Sequence, residues 1–442
     1  MSLERINIGG NIFINFVESD KFKSNYISVD VISRLETGLK AAKNGLLAKT
    51  LMRGSANYPT MAEINKKLNY LYAAKIGAWA NKLGEAQVLS ISAEMLDNRY
   101  SLDETNILDE TIGVLADIFM NPLIKDGAFG KDYVETEKTN MINEILAQIN
   151  NKGAYVYKKC IETMCRNERF AVNNSGTVED VKLIDGANLY EHYRYILSNC
   201  AIEIFCVGRL AEKKQFIADK FKGLLKGVQR AETTEDYSSE VILKAENKGE
   251  ITERMEVSQG KLAIGFRTGV SNKDKDYPAF ILFNALYGAS PTSKLFENVR
   301  EKLSLCYYCN TSVEAEKGLV TVLSGVEVKN KRQATDEILK QLEEVKAGNF
   351  TDKETEDAKM SVINSYKGVY DNFGGISFWY LRQLMKGNVK TPDEAIDAIK
   401  KVGRDDIIGA ANKLTLDTIY FLEGAVSDDS GDSGDFESEQ GE

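Results

Sequence analysis

The chain has 442 residues, 43% of them hydrophobic, and a formal charge of −10 with a single histidine, His192. That length and apolar content suit two or three globular domains with sizeable cores. Nothing in the charge balance favours nucleic acid, which asks for a basic face, and one imidazole cannot furnish a site built on two or three histidine ligands.

The first half opens on strands, RINIGG, NIFINF and NYISVDVI, the last rich in β-branched residues. Helices are predicted over Leu39–Met52, Met61–Leu71, Asp103–Phe119 and about Asp132–Asn150, with a strand, QVLSISAEM, among them. AIEIFCVG reads as a buried strand containing Cys206, and a helix near Glu212–Leu225 follows. Residues 228–249 are polar and charged and read as a linker. The second half repeats the order: a strand in GKLAIGFRTG, helices in DYPAFILFNALYG and SKLFENVREKL, and a hairpin in CYYCNTSVEAEKGLVTVLSGVEV. Two long helices, KRQATDEILKQLEEVKAG and TDKETEDAKMSVINSYKGVY, precede a last strand, LDTIYFLEG.

KLGEAQVLSISAE and EKGLVTVLSGVEV echo one another, with Gly84 and Gly318 in matching places. The expected fold is therefore α+β: two similar domains, 1–227 and 250–425, each a mostly antiparallel sheet with helices packed on one face. Residues 426–442 contain seven acids and no base, and are predicted to be a disordered acidic tail. Without them the body of the chain stands at −3. The opening MSLERINIGGNIFINF lacks a secretory pattern, and no run approaches the roughly 20 apolar residues of a membrane helix. A soluble, cytoplasmic protein with six reduced cysteines is the expectation.

The most specific signal is GASPTSKLFENVREKLSLCYYCNTS. It resembles the second domain of the insulinase/pitrilysin-type (M16) zinc peptidases, whose pattern SxLFxxVRExLxLxY is met by Ser293, Leu295, Phe296, Val299, Arg300, Glu301, Leu303, Leu305 and Tyr307. In that family an arginine and a tyrosine seven positions on bind substrate and support the tetrahedral intermediate; Arg300 and Tyr307 match both identity and spacing. Such donors suit the task, because a carbonyl attacked by water develops negative charge.

The first half is similar to the family's metal-helix region, with Gly54 and Ser55 at the step after that helix. The family's inverted motif, HxxEH, supplies two metal ligands and the acid that activates water. Here Gly45, Leu46, Leu47, Ala48 and Lys49 stand in its place, so both imidazoles and the acid are absent. Glu144, with Glu137 seven residues before it, matches the family's third ligand and its companion acid. The resemblance implies no metal and no cofactor in this chain, and no catalysis by it alone.

Two functions fit the resemblance. One is a non-catalytic subunit that pairs with a zinc-bearing M16 partner, closes around a peptide substrate and supplies Arg300 and Tyr307 to the shared site. The other is a purely structural or interaction protein derived from an M16 peptidase. A self-sufficient hydrolase of other chemistry has no nucleophile and base to support it. His192, in LYEHYRYIL, reads as a packing or surface residue. Cys306 and Cys309 form a lone CxxC on a predicted strand, where i and i+3 face opposite ways, so metal or redox use is not expected.

Overall fold

The computed structural model describes residues 1–243, 249–257 and 259–424. The 426–442 tail lies outside the described residues, as do residues 244–248 of the expected linker. Two sheets organise the molecule. The first contains β1 (Leu3–Gly9), β2 (Ile12–Glu18), β3 (Ser24–Arg34), β4 (Lys75–Leu83), β5 (Ala86–Leu96) and β8 (Ala201–Gly208). A two-stranded hairpin of β6 (Ile124–Lys125) and β7 (Ala128–Phe129) stands apart. The second sheet contains β9 (Gly249–Met255), β10 (Gly260–Arg267), β11 (Cys306–Glu314), β12 (Leu319–Val326) and β13 (Thr415–Gly424).

Strand order exposes the likeness of the halves. The first sheet runs β1-β2-β8-β3-β5-β4 and the second, read from its far edge, β9-β13-β10-β12-β11. From β2 onward the two orders correspond strand for strand, and the pairs β2/β8 and β13/β9 are parallel where all others are antiparallel. The β4–β5 and β11–β12 hairpins are then equivalent. Gly84 and Gly318 close them with φ of +58° and +63°, a backbone region that favours glycine.

Period-two alternation explains how each sheet is covered. On β3, Ile27, Val29 and Val31 face a core built with the helices Gly38–Leu51 and Ile107–Met120. Tyr26 and Ile32 point the other way, into a second cluster with Phe373, Ile376 and Tyr380. Those three belong to the helix Phe373–Lys386, from the opposite half of the chain. The exchange is reciprocal. The helix Lys152–Met164 of the first half lays Val156, Cys160 and Ile161 on Ala263, Tyr420 and Leu422 of the second sheet. Gly265 on β10 permits this approach, since a Cβ there would lie 2.1 Å from Met164 Sδ. Helices thus pack on one face of each sheet, and one helix of the other half closes the second face. Gly374 and Gly375 lie in the first turn of the Phe373–Lys386 helix, capped by Asn372.

A buried ionic cluster ties the halves together. The ammonium of Lys317, in the second-sheet hairpin turn, is 2.6 Å from both Glu85, in the first-sheet turn, and Glu168. Arg267 pairs with Glu168 at 2.7 Å and Asp417 at 2.6 Å, while Arg169 reaches Glu85 at 2.8 Å. Three cations thus meet three carboxylates. Burial pushes the Glu85 carboxyl up, but the hydrogen bond and charge of Lys317, with Arg169, prevail and hold it below its ordinary value.

Candidate functional site

Thr37 caps the helix Gly38–Leu51, which presents Gly45 and Lys49 to the helix Lys131–Ala147. Here the structure brings together residues 95 positions apart: Lys49 Nζ lies 2.8 Å from Glu144 Oε1. One turn on, Arg53 pairs with Glu137, whose other oxygen accepts from Asn140 at 3.2 Å. Lys49 on one helix and Arg53, two residues past its end, therefore clamp two acids spaced i, i+7 on the other. A fixed ammonium stands against the glutamate that the family pattern makes a metal ligand. At the remaining positions, a Cβ on Gly45 would lie 3.0 Å from the Met141 methyl, and Ala48 is buried. This set does not fit zinc: it offers one carboxylate already neutralised, no imidazole, and a cation that repels the metal. Among the described residues no group of three His, Cys, Asp or Glu side chains is arranged to hold a metal ion.

The second candidate region is built on a π-helical turn, Phe296–Lys302, joined to edge strand β11 through Ser304 in a left-handed conformation, φ +49°. Ser293, Leu295, Val299 and Leu305 of the motif are buried and anchor the turn on the core of the second sheet. Arg300 and Tyr307 are not. The Arg300 guanidinium sits 4.7 Å over the Phe296 ring and 3.4 Å from Glu301, its own neighbour. Tyr307 is 68% exposed, and its hydroxyl has no hydrogen-bond partner among the described residues.

Comparison with known proteins identifies the family and the fold. Residues 184–362 match the family model described as the peptidase M16 inactive domain. Across 418 residues the chain is 34% identical to the probable inactive metalloprotease YmfF of Bacillus subtilis, covering 94% of this chain and 96% of that one. The chain belongs to the M16 peptidase family. It is an inactive-type metalloprotease homologue. It is also 23% identical over 351 residues to an uncharacterised zinc protease of the same organism, YmxG, covering 77% and 79% of the two chains. Among solved structures, a protein of Enterococcus faecalis V583 superposes with a TM-score of 0.88 at 28% identity, covering 97% of this chain and all of that one. A peptidase M16 inactive domain from Pseudomonas fluorescens shares the fold, with a TM-score of 0.80 at 15% identity over 97% and 99% of the chains.

Two further expectations meet the structure of this M16 homologue. His192 is a packing residue: it is buried, with Nε2 2.7 Å from Asn44 Oδ1, while Asn44 Nδ2 donates to Ser33 Oγ and Gln87 Oε1. Burial, with the nearby charges of Lys43 and Lys40, lowers its pKa to about 3. Cys306 and Cys309 do not face opposite ways. The pairing of Cys306 with Val326 and Cys309 with Ser324 inserts a bulge, and both thiols enter the same core cluster. The Arg53–Glu137 pair escaped notice in the sequence. Its signal was the matched spacing of the two cations and two acids.

Proposed function

We propose that this chain is the non-catalytic subunit of a two-chain M16-type peptidase. In this reading it binds peptide together with a zinc-bearing M16 partner and supplies Arg300 and Tyr307 to the shared active site. The observation that carries the reading is the exposure of these two side chains within a motif whose other apolar members are largely buried. The buried members account for the packing of the turn. The exposed pair contributes little to it, and a tyrosine hydroxyl left free on a sheet edge is available to a ligand. As water adds to a peptide carbonyl, the oxygen gains negative charge, and a phenol and a guanidinium aimed at it lower the barrier.

The test is co-expression with the partner subunit and kinetics on a quenched peptide. Arg300→Ala and Tyr307→Phe are expected to keep the complex assembled and to lower turnover by about 100- to 1000-fold, the usual effect of losing one such donor. Near-normal turnover in both variants would favour a structural or interaction role derived from the peptidase.

A further inference from the structure

The helices of the second half enclose a cavity of about 470 Å³, lying against the helix Phe373–Lys386. Tyr277, Tyr366, Phe378 and Trp379 wall it, with Ile281 and Val362. Its polar lining is unbalanced. Arg382 is matched by Glu316, at 2.7 Å. Lys386 is half-buried and makes no ion pair or hydrogen bond among the described residues. The charges acting on it, Lys390 and Arg382, are of its own sign, and burial with their repulsion lowers its pKa to about 8. Asn284 lines the same cavity at 8% exposure, and its Oδ1 accepts no hydrogen bond. Unpaired buried acceptors are uncommon in folded proteins and call for a partner. A second cavity of about 290 Å³ shares Tyr277, Tyr366, Trp379 and Lys386 with the first, so Lys386 borders both. Asp274 borders that second space, but its carboxylate accepts from the backbone and hydroxyl of Ser271.

An aromatic chamber with an unmatched cation, and with the unpaired hydroxyls of Ser361 and Ser365 and the amide of Asn284 in its wall, suits a ligand with an apolar body, an anion and an adjoining polar group. We propose that this cavity binds the carboxy-terminal residue of a peptide. Its apolar side chain packs among the aromatic walls, its α-carboxylate pairs with Lys386, and its backbone amide meets the polar wall formed by the Asn284 amide and the Ser361 and Ser365 hydroxyls. The assignment rests on the reading of this chain as a peptide-binding subunit, yet the cavity contains neither Arg300 nor Tyr307. A simple fatty carboxylate offers the apolar body and the anion but no amide for that polar wall.

The test uses the full chain without any partner. Trp79 and Trp379 are its two tryptophans, so a Trp79→Phe background leaves Trp379 as a fluorescent reporter on the cavity wall. An N-acetylated hexapeptide ending in leucine is expected to bind saturably, and its C-terminal amide at least about tenfold more weakly, as loss of a charge-assisted contact implies. Lys386→Met should abolish the difference between acid and amide. Asn284→Ala should weaken the peptide and leave decanoate unaffected. Three results would overturn the proposal: no saturable signal below about 1 mM, equal affinity of acid and amide, or decanoate binding as tightly as the peptide. The acid–amide comparison needs no cavity variant, so it stands even if a substitution unfolds the chain. Failure here, with Arg300→Ala still strongly lowering turnover of the complex, would remove the cavity assignment alone.

Discussion

At the scale of single residues, the absence of the family's chemistry is a set of substitutions with structural consequences of their own. Lys49 and Arg53 fill with fixed cations a place where the family's pattern calls for a metal, and the helix pair is held by ion pairs. The Lys49–Glu144 pair is partly exposed and stabilises the helix contact by at most about 1 kcal/mol. The lone histidine is different, because it is buried neutral. Its folded pKa, about 3, lies below the ordinary value of 6.5, so the unfolded chain binds the proton first as pH falls. The stability that neutral His192 permits is complete above pH 6.5 and is lost progressively below it. Urea unfolding between pH 7.5 and 4.5 is expected to show this loss, and His192→Gln should flatten it. An equal slope in the variant would assign the loss to other groups.

At the scale of elements, the two exchanged helices are held by shape. Gly265 is small where Met164 presses on β10, and Ala263 flanks the same contact. Gly265→Ala forces the methionine aside and should cost about 1–3 kcal/mol, the usual penalty of overpacking. Met164→Ala opens a cavity and should cost about 2–5 kcal/mol. The double variant is expected to cost less than the sum, because each change relieves the other. Chemical denaturation of the four proteins measures that coupling, and strict additivity would mean that the helix does not bear on Gly265. Helix ends were largely legible in the sequence, since they depend on local chemistry. The TDKE run, for example, forms a capping box between Thr351 and Glu354. Which sheet each helix would cover was not legible, because the apolar faces of Lys152–Met164 and Phe373–Lys386 suit either one.

At the scale of the whole molecule, the two halves meet through charge. Lys317 is fully buried between Glu85 and Glu168. Removing it leaves two acids without their shared cation, so Lys317→Met should destabilise the chain by about 3–5 kcal/mol. The Glu85 pKa is depressed in the folded state, so its contribution is present above the ordinary glutamate value and is lost as pH falls through the folded one. Thermal unfolding at pH 7 and pH 4 is the check. The variant should lose more at pH 7 than at pH 4, where the Glu85 contribution has begun to fall away, and a loss unchanged by pH would place the effect in packing instead of charge.

The sequence by itself determined the composition of the candidate sites. It placed Gly45 and Lys49 where the family has imidazoles, kept Arg300 and Tyr307 seven apart, and carried two echoing halves. Spacing and residue type are local properties, and a family pattern is read directly from them. Only the tertiary structure decided which groups meet. It paired Lys49 with Glu144 across 95 residues, and brought Lys317, at the turn of the second-half hairpin, into the buried contact between halves. It also turned Cys306 and Cys309 to one face, because one bulge reverses the side that every later residue takes. The physical reason is common to all three. Local pattern fixes what each element can offer, but burial and charge pairing are settled by the element that packs against it.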